Sequence, residues 1–214
     1  MVAIIDYGMG NLRSVQKALE RVGGRTRIVS TKNGLSRADK IVLPGVGAFG
    51  DAMKELTRLR LVEPIKKAID EGKIFLGLCL GLQLLFDESE ESRGVKGLGI
   101  LKGKVKRFDF KGRGSRLKVQ GLKVPHMGWN NIVQSSELGV RSSKILKGVP
   151  DGAYMYFVHS YYAEPMDKSV ILTTTGYGIN FVSGICKGNI YAFQFHPEKS
   201  QKAGLKILSN FVRL

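Results

Sequence analysis

Ile74-Phe75-Leu76-Gly77-Leu78-Cys79-Leu80-Gly81-Leu82-Gln83-Leu84-Leu85-Phe86 joins an apolar run to a helical-looking one through a glycine-flanked cysteine. Ile74 to Leu78 reads as a buried strand and Leu82 to Phe86 as helix. A side chain at the tip of so tight a strand-to-helix turn is strained, and it needs small neighbours so that backbone and substrate can approach. Gly77 and Gly81 are those neighbours. The free N–H groups and positive dipole end of the following helix would face the sulfur and favour its anionic form. Cys79 is therefore a candidate nucleophile; an inert buried thiol is its other reading.

Outward from the elbow, strands alternate with helices. Val2 to Asp6, Arg25 to Ser30 and Lys40 to Leu43 read as strands. A helix from Asn11 to Val22, ended by Gly23-Gly24, lies between the first two, and helical segments from Asp51 to Leu59 and Pro64 to Glu71 follow the third. Leu12, Val15, Leu19 and Val22 share one helical face, as a helix covering a sheet requires. The alternation predicts an α/β fold with an open, mostly parallel sheet flanked by helices, whose sites lie at the carboxyl ends of strands. From Gly97 through Tyr191 the pattern changes to short strands and turns, and a closing helix fits Lys202 to Val212. No repeat or low-complexity linker divides the chain, so residues 1–214 are expected to form one domain, within the roughly 250 residues a single core allows.

A thiol nucleophile needs a base, and the base needs a third group to fix its tautomer and steady its charge. Gln194-Phe195-His196-Pro197-Glu198, which ends the apolar run from Ile190 to Phe195, offers both. Two residues apart on an extended chain, His196 and Glu198 leave from the same face, and Pro197 discourages helix. A surface histidine beside a solvated glutamate is the plainer reading of the pair taken alone.

Elbow and His-Pro-Glu end together resemble the class I (triad) glutamine amidotransferases over nearly the whole chain. Val42-Leu43-Pro44-Gly45-Val46-Gly47-Ala48-Phe49 looks like the oxyanion strand of that family. Pro125-His126-Met127-Gly128-Trp129-Asn130 and Tyr156-Phe157-Val158-His159-Ser160-Tyr161 resemble segments of the branch whose members dock on a (β/α)₈ barrel cyclase. Other branches usually carry His after the second elbow glycine, where Leu82 stands here. The resemblance implies an open-sheet core with an added antiparallel portion, L-glutamine as substrate, no cofactor, and a heterodimer with the cyclase. It further implies a catalytic triad of Cys79, His196 and Glu198, with oxyanion donors from Leu80 and from Gly45, Val46 or Gly47. Gln83 and the backbone of His159, Ser160 and Tyr161 would hold the glutamine; Asn11, Trp129, Tyr156 and Lys199 would face the partner or the ammonia path.

Other features exclude competing classes. Cys79 and Cys186 form no CxxC pair or disulfide framework, and Cys186 reads as a packed thiol. His126, His159 and His196 show no metal-ligand spacing, so no metal is expected. Related cysteine hydrolases place histidine directly after or close to the nucleophile, whereas His196 lies more than a hundred residues away. No apolar stretch approaches the roughly 18 residues of a membrane span, and the chain opens on a strand-like run without a leader pattern, so a soluble cytoplasmic protein is expected.

The formal charge is +16, and nine lysines and arginines lie between Lys102 and Lys123 with Phe108 and Phe110 interleaved. Such a run can bind nucleic acid, but no nucleic-acid motif accompanies it; a solvated basic surface is expected, or attraction to an acidic partner. Asp87, Glu88, Glu90 and Glu91 read as a solvated loop. Gly8-Met9-Gly10-Asn11 invites a phosphate-loop reading, but Arg13 stands where the dinucleotide fingerprint needs glycine.

Overall fold

The computed structural model describes residues 1–110, 122–136 and 144–214. Its first half comprises β1 (Val2–Ile5), α1 (Leu12–Arg21), β2 (Thr26–Val29), α2 (Lys32–Ser36), β3 (Lys40–Gly45), α3 (Phe49–Arg58), α4 (Val62–Asp70), β4 (Ile74–Cys79) and α5 (Leu80–Gln83). Then come β5 (Phe86–Ser89), β6 (Leu101–Arg107), β7 (His126–Asn131), β8 (Val133–Gln134), β9 (Tyr154–His159), β10 (Tyr161–Pro165), β11 (Ile171–Gly176), β12 (Asn180–Lys187) and β13 (Ile190–Phe193). A turn of 3₁₀ helix, Pro197–Lys199, leads into α6 (Gln201–Arg213).

Eleven strands form one mixed sheet in the order β2-β1-β3-β4-β13-β12-β10-β6-β5, with β11 and β8 attached at β12. The strands from β2 to β13 in that order are parallel, and β12 runs antiparallel to β13, β10 and β11. β7 and β9 pair in a separate antiparallel ribbon. Successive side chains of the central strands feed two cores: Ala3, Ile5, Ile41, Leu43 and Phe75 join one, and Val2, Ile4, Val42, Leu76 and Leu78 the other. α3 and α4 cover the first face, and α1 and α6 the second. This period of two, with both faces buried, is why these strands read as unbroken apolar runs.

The expected α/β architecture is present, and the structure corrects it at four points. The helix after Cys79 is a single turn, and Phe86 opens β5 in the core; a run as short as Leu82 to Phe86 cannot separate helix from strand by periodicity. α2 was not anticipated; Thr31 caps it by accepting from Gly34 N at 3.3 Å. β5 and β6 pair in parallel inside the portion expected to be antiparallel.

The acidic run is no solvated loop. Asp87 accepts from Lys102 Nζ and Gly103 N, both at 3.0 Å. Glu90 accepts from Arg107 N at 2.9 Å, and Glu91 from Phe49 N at 2.7 Å. Phe49 begins α3, whose N-cap Ala48 has no capping side chain, so Glu91 satisfies a helix N–H that would otherwise be orphaned. Of the basic run, Lys102 and Lys106 pair with Asp87 and Glu164. Lys111, Arg113, Arg116 and Lys118 lie outside the described residues.

Candidate active site

Cys79 closes β4 with φ at 54°, a left-handed conformation that costs a non-glycine residue roughly 1–3 kcal/mol. Its surroundings hold it there. A Cβ on Gly81 would lie 1.9 Å from the Leu43 carbonyl oxygen, and one on Gly77 would lie 2.7 Å from the Gly81 oxygen. The turn is thus pressed onto β3 and back onto its own strand, at separations only glycine permits.

Because β3, β4 and β13 are adjacent and parallel, the loops at their carboxyl ends converge. Gly45 pairs in register with Cys79, and Phe193, three residues before His196, pairs with Leu78. A cavity of about 400 Å³ opens there, lined by Val46 and Gly47 from the first loop, Cys79, Leu80 and Gln83 from the second, and His196 from the third. His159, Ser160 and Tyr161 close it from the side, so the elements separated in sequence meet in one pocket. Pro125, Val158 and Glu91 also line it, though nothing in the sequence assigns these three to a site.

His196 and Glu198 are both buried, with Nδ1 of the imidazole donating to Glu198 Oε1 at 2.8 Å. Burial alone would lower the His196 pKa; interaction with the Cys79 sulfur and with the Glu198 carboxylate, by hydrogen bonding and by charge, outweighs it and raises the pKa to about 10. Nε2 is buried and has no well-aligned hydrogen-bond partner among the described residues. The backbone here is clamped to β9. His196 N donates to Tyr156 O at 2.9 Å, Tyr156 N donates to Ser200 Oγ at 2.9 Å, and that hydroxyl donates to His196 O at 2.6 Å.

A buried thiol on a strained elbow, sharing a pocket with a histidine that a buried glutamate holds, is an arrangement suited to acyl transfer through a cysteine. The sequence profile of the family "Glutamine amidotransferase class-I" matches residues 3–214. The chain belongs to the class I glutamine amidotransferases. The amidotransferase is 55% identical over 211 residues to the imidazole glycerol phosphate synthase subunit HisH of Aquifex aeolicus, covering 98% of this chain and 95% of that protein. It is 48% identical over 214 residues to the same subunit of Methanocaldococcus jannaschii, covering both completely. In fold it is similar to PurLQS from Thermotoga maritima, with a TM-score of 0.73 at 18% identity over 99% of this chain and 97% of that one.

Gln83 of the amidotransferase is buried, and both N–H bonds of its amide are engaged: Nε2 donates to Tyr161 O and to Gln194 Oε1, each at 3.0 Å. Only its carbonyl oxygen remains for a ligand, and an acceptor suits an ammonium group. Gln194 places its own Nε2 3.7 Å from the Cys79 sulfur. Sequence reading passed over it; a glutamine inside the apolar run from Ile190 to Phe195 was the available signal.

The expected partner-facing residues fall into two places. Trp129 is 47% exposed and meets Tyr156 edge-on at 6.0 Å, Lys199 Nζ lies 5.7 Å above the Tyr156 ring, and that ring is 6.5 Å from His196. The cluster leads from the surface to His196. Asn11 has a structural task, capping α1 by accepting from Ser14 N at 3.3 Å. Its loop does approach the segment that follows β3, since a Cβ on Gly47 would lie 2.6 Å from Met9 Cε.

Tyr7 is fully buried with its hydroxyl unpartnered among the described residues, so close to β3 that a Cβ on Gly45 would lie 2.5 Å from it. Burial, and then the charge of Cys79, pushes its pKa well up. Tyr7→Phe removes an unsatisfied polar group at constant shape. The expected result in denaturant unfolding is unchanged stability or a gain of about 1 kcal/mol, and a loss beyond about 1 kcal/mol would show that the hydroxyl has a partner.

Among the described residues no group of three or more His, Cys, Asp or Glu side chains could hold a metal, and no helix is long and apolar enough to cross a membrane.

Proposed function

We propose that this amidotransferase is the glutaminase subunit of an imidazole glycerol phosphate synthase and that residues 1–214 act as one domain. The observation that carries the reading is the meeting of Cys79 and His196, the latter bonded to Glu198, in the cavity lined by Val46, Gly47 and Leu80. Identity of 46–55% over essentially the whole chain to HisH subunits supports the choice of synthase.

The Cys79 thiolate attacks the side-chain amide carbon of L-glutamine. The carbon–nitrogen bond breaks as the His196 imidazolium gives its proton to the departing amine, which leaves as ammonia. Acylation removes the negative charge on sulfur, and with it part of what raises the His196 pKa. A base suited to activating water is thus created at the step that needs it. Water then adds to the thioester, glutamate leaves, and the thiolate returns. Glu198 orients the ring and steadies its charge. The tetrahedral oxyanion is held by Leu80 N–H and one N–H of the Gly45-Val46-Gly47 segment, each such donor contributing roughly 10² to 10³ in rate.

Ammonia released into water would be protonated and lost, so the chain passes it to a partner: a (β/α)₈ barrel cyclase that forms imidazole glycerol phosphate and an aminoimidazole carboxamide nucleotide. Trp129, Tyr156 and Lys199 lie at that junction, with Asn11 beside the oxyanion loop. A flip at the Gly45-Val46-Gly47 segment, where Gly47 has φ at 95°, completes the oxyanion site when the partner carries its ligand. The test is glutamate release from L-glutamine by the chain alone and with the cyclase plus its nucleotide. Strong release confined to the loaded complex supports the whole reading; strong release by the chain alone removes the gating, and silence in both removes the function.

Glu198→Gln withdraws one of the influences that lift the His196 pKa and leaves burial to lower it. The alkaline limb of kcat/KM marks loss of the imidazolium proton, so it should move to lower pH, by about one pH unit or more. A limb that stays in place would sever Glu198 from the acid–base step.

A further inference from the structure

β7 has two faces. Met127 and Trp129 point outward, 63% and 47% exposed, while His126, between them and the core, is 3% exposed. On the inner face a continuous line of hydrogen bonds begins. Asn130 Nδ2 contacts His126 Nε2 at 3.2 Å, His126 Nδ1 contacts His159 Nε2 at 3.0 Å, and His159 Nδ1 contacts the Tyr161 carbonyl at 2.7 Å. That carbonyl also accepts from Gln83 in the pocket.

The ends of the line fix every proton in it. Tyr161 O only accepts, so His159 carries its proton on Nδ1 and its Nε2 accepts. His126 must then donate from Nδ1 and accept at Nε2. Asn130 Nδ2 donates there with one N–H and to Gly176 O, at 2.9 Å, with the other, while its oxygen accepts from Asn131 N at 2.8 Å. All donors point the same way, from the ribbon toward the pocket. The scheme requires two neutral rings, and burial lowers the pKa of His126 to about 4 and that of His159 to about 3. Phe157 and Tyr177 stack on the His126 ring at 4.8 and 4.0 Å and hold its plane.

We propose that His126 and Asn130 are positioning residues of the glutamine pocket, forming with His159 a one-way hydrogen-bond relay through which the β7–β9 ribbon sets the Tyr161 carbonyl and thereby the Gln83 amide. The proposal rests on the glutaminase reading for its kinetic consequence but not for its proton positions. Loss of the relay leaves His159 free to turn, releases the Tyr161 carbonyl, and lets Gln83 reorient. Glutamine binding suffers, while Cys79 and His196 are untouched.

Two measurements on the intact chain test it. Nitrogen–proton NMR of the imidazoles at neutral pH should show His126 and His159 both neutral and both protonated on Nδ1; a protonated ring, or an Nε2–H tautomer at either, overturns the relay whatever the activity. In complex with the cyclase, His126→Ala should raise KM for glutamine about ten-fold with kcat within about two-fold, the effect of one hydrogen bond lost from binding. His126→Asn, whose amide N–H falls near the former Nδ1, should recover most of that loss. Equal KM values for the two variants, or a fall confined to kcat, would count against the proposal. Should the alanine variant not fold, Asn130→Ala at the outer end must raise KM in the same direction, and an unchanged KM there is equally contrary. Absence of Cys79-dependent glutamate release by the unsubstituted complex would remove the glutaminase reading and leave the tautomer result standing.

Discussion

Cys79→Ala is expected to lower glutamate release by the loaded complex about 10⁴-fold or more, because it leaves no thiol on the wall of the pocket. Cys186, the other thiol, lies on β12 and does not line the cavity. The substitution removes one sulfur atom from a site with little space to refill, so binding of glutamine and of the partner should persist. It also withdraws the hydrogen bond and negative charge by which Cys79 raises the His196 pKa, leaving burial opposed only by Glu198. Imidazole NMR should therefore show His196 losing its proton at lower pH in the variant. A rate within about ten-fold of the original would end the triad assignment, and an unmoved His196 titration would show that sulfur and imidazole do not interact.

Gly81→Ala should be the most damaging single methyl group among the described glycines. Its Cβ would meet Leu43 O at 1.9 Å and Leu43 C at 3.0 Å, and these are backbone atoms of a central strand that cannot step aside. β3 would have to retreat from β4, carrying with it Gly45, the register partner of Cys79. The expected loss exceeds about 4 kcal/mol in urea unfolding, beyond the range of ordinary substitutions. Gly72→Ala is the comparison: φ is 84° there, but nothing lies within 4 Å of the added Cβ, so only the backbone conformation is penalised, by roughly 1–2 kcal/mol. Equal losses at the two positions would mean that strain, not close approach, explains the elbow glycine.

Much of this was legible in the chain because the relevant signals are local. A parallel strand buried on both faces must be apolar throughout, and Ile74 to Leu78 is. An elbow needs its glycines within two residues of the nucleophile, and His196 and Glu198 are spaced so that one can hold the other. What escaped was set by pairing at a distance. Glu91 reads as one acid among several until α3 is seen to begin at Phe49 without a capping side chain. Phe86 looks helical until β6 offers it a strand to pair with. His126 and His159 stand 33 residues apart, and only the register of β7 with β9 brings them opposite one another. Gln83 was placed in the pocket from resemblance, yet which of its atoms faces the substrate depends on Tyr161 and Gln194, neither near it in sequence.

The Ser200 clamp makes His196 a bridge. It follows β13 of the main sheet, while its backbone is bonded to β9, a strand of the separate ribbon. Cys79 closes β4, where Gly81 leaves it no slack, and its sulfur lies 3.9 Å from the Val158 carbonyl of that same ribbon strand. Sulfur and imidazole therefore meet at a seam between sheet and ribbon. The gap between them is held from two sides at once, as a joint is held by two braces, and neither the sheet nor the ribbon fixes it alone.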